Sequence, residues 1–279
     1  MSETYTTRNG FTLEYKEWGK RGGFPVLYLH GLLGGFPVNM ASYAGPLRLV
    51  ELKRSGYGRS SLMGLSRVAD YADHIREFLD HLGLDAFCTL AHSAGAPFAL
   101  ALAAAYPQRV TAVGITSGVP ECYKKDVIGA APSPGMIRLF YLLCRLLPPG
   151  LSGRWFCGFV RKHVARHGEA LRAMYPEDAL EQIVSDALVN NGKGMAETAR
   201  TQGAPWGFSM RDVSGKVFWH HSRNDEEVLY ACAKVTWERL ANAAVRTYES
   251  ESHSAPVMFL DLLDELAAEC AGARPGAEG

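Results

Sequence analysis

Apolar and polar residues follow two periods along this chain, and the two alternate. Thr6 to Trp18 alternates residue by residue around Asn9-Gly10, a turn dipeptide, and predicts an edge hairpin. Pro25 to Leu29 is a short apolar run ending at His30-Gly31, and Pro46 to Leu52 is another, ending before Ser55-Gly56-Tyr57-Gly58. Then the period lengthens. Val68, Tyr71, Ala72, Ile75, Phe78, Leu79 and Leu82 recur at threes and fours, which predicts a helix over 67–82 with Ser66 as its cap and Gly83 as its end. A strand is predicted over 85–90, an Ala/Leu-rich helix from Ala96 to the stop at Pro107, and a strand over 110–115. Further on, 216–220 and 244–248 read as strands, with a helix near 230–240 between them and another near 257–268. Strands alternating with helices of this length require crossover connections. The predicted fold class is therefore α/β, a mostly parallel central sheet flanked by helices.

The middle of the chain breaks that rhythm. From about Pro120 to Pro205 no strand pattern occurs, and Ala131-Pro132-Ser133-Pro134-Gly135 and Leu147-Pro148-Pro149-Gly150 interrupt helical segments. Ligands in open α/β sheets sit beyond the carboxyl ends of the strands. The segment 120–205 is accordingly expected to be a helical lid over that edge, inserted between sheet-domain parts 1–119 and 206–270. Residues 271–279 are small and expected to form a flexible tail. The lid's Phe140, Tyr141, Leu142, Trp155, Phe156, Phe159 and Met174 predict a largely apolar ligand pocket or lid–core packing.

Composition narrows the function classes. Lys plus Arg and Asp plus Glu stand at 29 each, so no bulk charge draws the chain to nucleic acid or to an anionic membrane. The basic residues between Arg161 and Arg172 are read as a solvated helix face. No secretory signal is visible at the N-terminus and no apolar run is long enough to span a membrane. A cytoplasmic monomer or homodimer with a small-molecule substrate is expected. The six cysteines lack metal-ligand spacing and are expected as reduced, mostly buried thiols, with no metal and no cofactor.

The chemistry concentrates at Ala91-His92-Ser93-Ala94-Gly95, small residues between a predicted strand and a predicted helix. A sharp turn there lifts the Ser93 hydroxyl onto a helix N-terminus, the context in which serine becomes a nucleophile. Serine then needs a base, and a histidine base needs a carboxylate. His253 lies in a polar loop after the last predicted strand and Asp225 in the loop after the one before, with Glu226 as the alternative acid. His220 and His221 fall within a strand and are read as structural. Two amides are expected to bind an oxyanion, those of Ala94 and Leu32, the latter in the glycine-rich loop His30-Gly31-Leu32-Leu33-Gly34-Gly35. His30, Gly31, Leu33, His92 and Trp206 are expected to touch substrate. A neutral histidine base predicts activity rising with pH through about 6.5.

Over nearly its whole length the chain resembles the α/β-hydrolase superfamily, in its cofactor-free, lid-bearing branch. The resemblance rests on Tyr28-Leu29-His30-Gly31, Ser55-Gly56-Tyr57-Gly58-Arg59-Ser60, 91–95, Tyr106-Pro107-Gln108-Arg109-Val110, Asp225-Glu226-Glu227-Val228 and Ser252-His253, with Pro205-Trp206-Gly207-Phe208 resembling a subgroup's lid closure. It implies that fold and a Ser-His-Asp triad. Lys53 stands where the family usually has an acid, and Ser252 precedes His253 where glycine is common. Serine at 93 argues against the branches whose nucleophile is aspartate. Three functions remain: a serine hydrolase cleaving an ester, thioester, lactone or related acyl bond; a lyase or cyclase using the triad for acid/base chemistry; and a ligand-binding protein with dormant chemistry.

Overall fold

A computed structural model describes residues 2–36, 43–175 and 177–272. Eight strands form one sheet in the order β1-β2-β4-β3-β5-β6-β7-β8. β1 (Glu3–Thr6) and β2 (Thr12–Gly19) are the expected hairpin, and β2 pairs antiparallel with β4 (Leu47–Leu52). From β4 onward every pairing is parallel, through β3 (Phe24–Leu29), β5 (Phe87–His92), β6 (Val110–Thr116), β7 (Lys216–Ser222) and β8 (Ala243–Tyr248). The inner strands are buried along their length, which explains why they read as apolar runs rather than as alternation.

Helices α1 (Asp70–His81), α2 (Ala96–Ala105), α8 (Tyr230–Trp237) and α9 (Pro256–Gly272) flank the sheet. α1 buries Tyr71, Ala72, Ile75, Phe78 and Leu79, each large apolar side chain contributing about 1.5–3 kcal/mol. It starts at Asp70, three residues later than the periodicity suggests. The Asp70 carboxylate accepts the Ser66 and Arg67 amides, so the cap comes from inside the helix and not from Ser66. Gly83, at φ +65°, ends it.

Between β6 and β7 lie α3 (Lys125–Gly129), α4 (Pro134–Leu146), α5 (Pro149–Met174), α6 (Glu177–Leu188) and α7 (Lys193–Gln202), with no strand among the described residues there. The two Pro/Gly interruptions fall between α3 and α4 and between α4 and α5. The expected tail overlaps α9, which extends through Gly272, while 273–279 lie outside the described residues. The side chain of Met174 also lies outside them. All six cysteines are buried free thiols.

Candidate active site

Ser93 stands where β5 runs into α2 and takes φ +49°, a left-handed conformation that costs a non-glycine residue strain. The turn is tight because its neighbours are small. A Cβ on Gly95 would fall 2.1 Å from the Leu29 carbonyl oxygen, so only glycine lets α2 approach β3. The loop after β3 lies against the turn, since a Cβ on Gly31 would fall 3.3 Å from Ser93 Cβ. Leu32 packs against the small cluster that contains Ala94.

Asp225 and His253 meet after β7 and β8. His253 Nδ1 donates to Asp225 Oδ2 at 2.8 Å and Oδ1 at 3.0 Å, which leaves Nε2 as the basic nitrogen. The amides of Glu227 and Val228 donate to Oδ1. Burial works against the Asp225 charge, but the His253 hydrogen bond and charge and the Val228 amide outweigh it and hold the carboxyl below its usual range. Burial likewise lowers His253, yet Asp225 and then Glu227 leave it raised. Glu226 lines the cavity without contacting His253 among the described residues, whereas Asp225 is hydrogen-bonded to it.

Ser93 and His253 open into one cavity of about 610 Å³. Among the described residues no hydrogen bond joins their side chains. Gly31, Leu33 and His92 line the cavity. His92, however, gives both ring nitrogens to protein, to Thr116 Oγ1 at 3.1 Å and Ser254 Oγ at 3.0 Å, and its ring packs on His253. Burial keeps it well below the usual histidine range. It braces the base.

His30 and Trp206 are turned away from the cavity. His30 is fully buried, accepts the Arg54 amide at Nε2 and bonds the Gly31 carbonyl through Nδ1 at 2.8 Å. It shapes the loop rather than lining its mouth. Trp206 is fully buried near Tyr123 and Phe208 and donates to the Gln202 carbonyl at 3.2 Å. It packs where the helical segment rejoins the sheet.

Several contributors lack a local signal in sequence. His221 accepts the Trp219 indole N–H at Nδ1, so its Nε2–H donates to Val228 O at 2.8 Å and stands 3.4 Å from Asp225 Oδ2. Glu227 Oε2 lies 3.9 Å from His253 Nε2. Glu227 also borders a second, apolar cavity of about 300 Å³ walled by Val119, Ile128, Ile137, Tyr141 and Leu229. From α5, Phe159, Lys162 and Arg166 line the 610 Å³ cavity; of the other expected pocket residues, Phe140 and Tyr141 line the 300 Å³ one, Phe156 is buried, and Leu142 and Trp155 face outward. Arg54, also buried, donates to the carbonyls of His30 and Gly31 and to Thr198 Oγ1 of α7, and Gln202 of α7 donates to the Ala94 carbonyl at 2.7 Å. The unusual Lys53 is answered by Glu51 at 3.3 Å and by Asp186 of α6 at 3.1 Å.

Known proteins share this architecture. The chain is 34% identical over 120 residues to an uncharacterized hydrolase, YcgS, of Bacillus subtilis, covering 40% of each. It is 30% identical over 133 residues to a non-heme chloroperoxidase of Streptomyces lividans, covering 44% of this chain and 47% of that one. The chain thus spans under half the length of these curated relatives. A solved putative epoxide hydrolase of Pseudomonas aeruginosa superposes with a TM-score of 0.75 at 20% identity, covering 98% of this chain and 97% of that one. The family model described as alpha/beta hydrolase fold matches residues 25–222, and the chain belongs to that family of enzymes.

Proposed function

We propose that the protein is a serine hydrolase that cleaves an ester, thioester, lactone or related acyl bond of a small, largely apolar substrate. Ser93 attacks the acyl carbon while His253 Nε2 takes its proton, and Asp225 holds the imidazole in the Nδ1–H tautomer and stabilises its charge. The amides of Leu32 and Ala94 take the oxyanion. The leaving group departs with the proton from His253, and water, activated by the same nitrogen, releases the acid. No cofactor enters this scheme.

The observation that carries the reading is His253, hydrogen-bonded to the buried Asp225, opening into the same cavity as a serine held at φ +49°. The family model ends at residue 222, so it does not reach Asp225 or His253, which rest on their place in the sequence and on this geometry. The apolar walls of the 300 Å³ cavity suit an apolar substrate part. Helices α3–α7 serve in this reading as a lid.

A cofactor-free lyase or cyclase is the second reading, and Glu227 is its support, a second carboxylate beside His253 Nε2 suited to acid/base work. Labelling of Ser93 by a fluorophosphonate, followed by product analysis with p-nitrophenyl esters of graded chain length, separates the two. Labelling with release of free acid is expected. A Ser93 that resists labelling, or turnover without an acid product, overturns the hydrolase reading.

A further inference from the structure

Apolar side chains are exposed unevenly on this protein. Among the described residues eight of the twelve large exposed ones fall between Met136 and Phe159. On α4, Met136, Leu139, Leu143 and Leu146 recur at threes and fours on one face, with Leu142 beside them; Met136 is 72% and Leu146 71% exposed. On α5, Leu151, Trp155 and Phe159 recur at fours. The two rows adjoin, because Phe140 of α4 packs on Trp155 at 5.6 Å between ring centroids. A monomer in water rarely leaves so continuous an apolar face uncovered.

Charge identifies what covers it. Residues 134–168 contain six Lys and Arg and no Asp or Glu, although the whole chain is balanced. All six cations are exposed, and none makes an ion pair among the described residues. Arg138 and Arg145, seven apart, run beside the apolar row of α4; Arg154 and Arg161, also seven apart, run beside that of α5. A second copy on this face would set six positive charges against six, with no acid in the patch to relieve them. A sheet of anionic headgroups over an apolar interior complements both features.

We propose that α4 and α5 form a docking surface for an anionic lipid membrane, lying in its interface with Met136, Leu139, Leu146 and Trp155 inserted and the arginines among the headgroups. The face ends at Phe159, Lys162 and Arg166, which line the 610 Å³ cavity, so docking sets the cavity mouth at the lipid surface. The expectation of no membrane partner drew on total charge, which conceals this local excess. No helix among the described residues is long and apolar enough to cross a membrane, so the contact is peripheral.

The test is flotation of the purified full-length protein with vesicles of phosphatidylcholine alone and of phosphatidylcholine mixed with phosphatidylglycerol. Binding to the mixed vesicles only, weakened by added salt, is expected, with a blue shift of Trp155 fluorescence that Trp155→Phe removes. Each cation near such a surface strengthens binding roughly fivefold, so Arg138→Glu with Arg145→Glu should weaken it by about 25-fold or more. Leu139→Glu with Leu146→Glu should abolish it. Both pairs are on the surface, and an unchanged melting temperature and Ser93 labelling rate show the fold intact; these readouts do not depend on hydrolysis. Equal binding to both vesicle types, or undiminished binding by either double variant, overturns the proposal. So does a dimer in solution that Leu139→Glu with Leu146→Glu converts to monomer, which would assign the face to a second copy.

Discussion

Replacing Glu227 by glutamine should move the acid limb of the activity profile to lower pH. The carboxylate lies 3.9 Å from His253 Nε2, the nitrogen that the proposed mechanism requires unprotonated. Two unit charges at that distance interact by about 1 kcal/mol in water and about 4 kcal/mol at an effective dielectric of 20. The Glu227 side chain is 55% exposed, so the watery figure applies. About 1 kcal/mol corresponds to roughly 0.7 of a pH unit. The negative charge favours the imidazolium, and its removal lets His253 lose its proton more readily. The expected midpoint of kcat/KM in Glu227→Gln is therefore about 0.7 unit below that of the wild type, with the plateau above it nearly unchanged. The wild-type midpoint itself should lie above the ordinary histidine value of about 6.5, because Asp225 and Glu227 together outweigh burial. The assay is initial-rate hydrolysis of a water-soluble p-nitrophenyl ester across the acid range, at low and high salt. Salt should shrink the difference, since the pair is accessible to ions. A profile that stays put at low salt, or moves upward, would refute the electrostatic argument.

Ser93→Ala and His253→Ala should each lower kcat by about 10⁶-fold, and the double variant should be no worse, since they act as a unit. Asp225→Asn should cost about 10⁴-fold through the wrong tautomer; a silent Asp225→Asn beside a crippled Glu226→Gln would move the acid by one residue. Trp206→Ala should lower stability by about 3–5 kcal/mol in denaturant titration while leaving the ranking of ester chain lengths unchanged, because the ring is buried away from the cavity. Gly95→Ala should yield little folded protein in soluble expression and melting assays, as its methyl would meet the Leu29 carbonyl.

The strand ends were legible because each inner strand is an apolar run closed by a polar or glycine-rich loop, and the chemistry sits in those loops. Ser93, Asp225 and His253 are candidates by their order along the chain for that reason, and the structure brings Asp225 and His253 into hydrogen-bond contact. Side-chain direction was not legible. The position of His30 identifies its loop, but whether the ring faces the cavity depends on the Arg54 amide that occupies Nε2. Trp206 is similar, since a tryptophan at a boundary packs or lines a pocket according to neighbours distant in sequence. The cap of α1 was misplaced because serine and aspartate both suit helix starts, and here the Asp70 carboxylate takes the Ser66 amide. Lys53 pairs with Glu51 two residues before it and with Asp186, 133 residues further on, and no local pattern brings Lys53 and Asp186 together.

Helix α7 has a consequence for how this enzyme can be rebuilt. It lies within the inserted segment, yet Gln202 holds the Ala94 carbonyl, Thr198 meets the Arg54 that grips the Gly31 loop, and Glu197 bonds Ser55. A Cβ on Gly194 would fall 2.7 Å from the Ser55 carbonyl oxygen, so even its backbone is seated on the sheet domain. α7 is a keel for the turn that carries Ser93. A graft that exchanges α4 and α5 for those of another protein should keep the support of the Ser93 turn, provided the splice falls before Lys193. A graft that exchanges the whole stretch between β6 and β7 should remove that support.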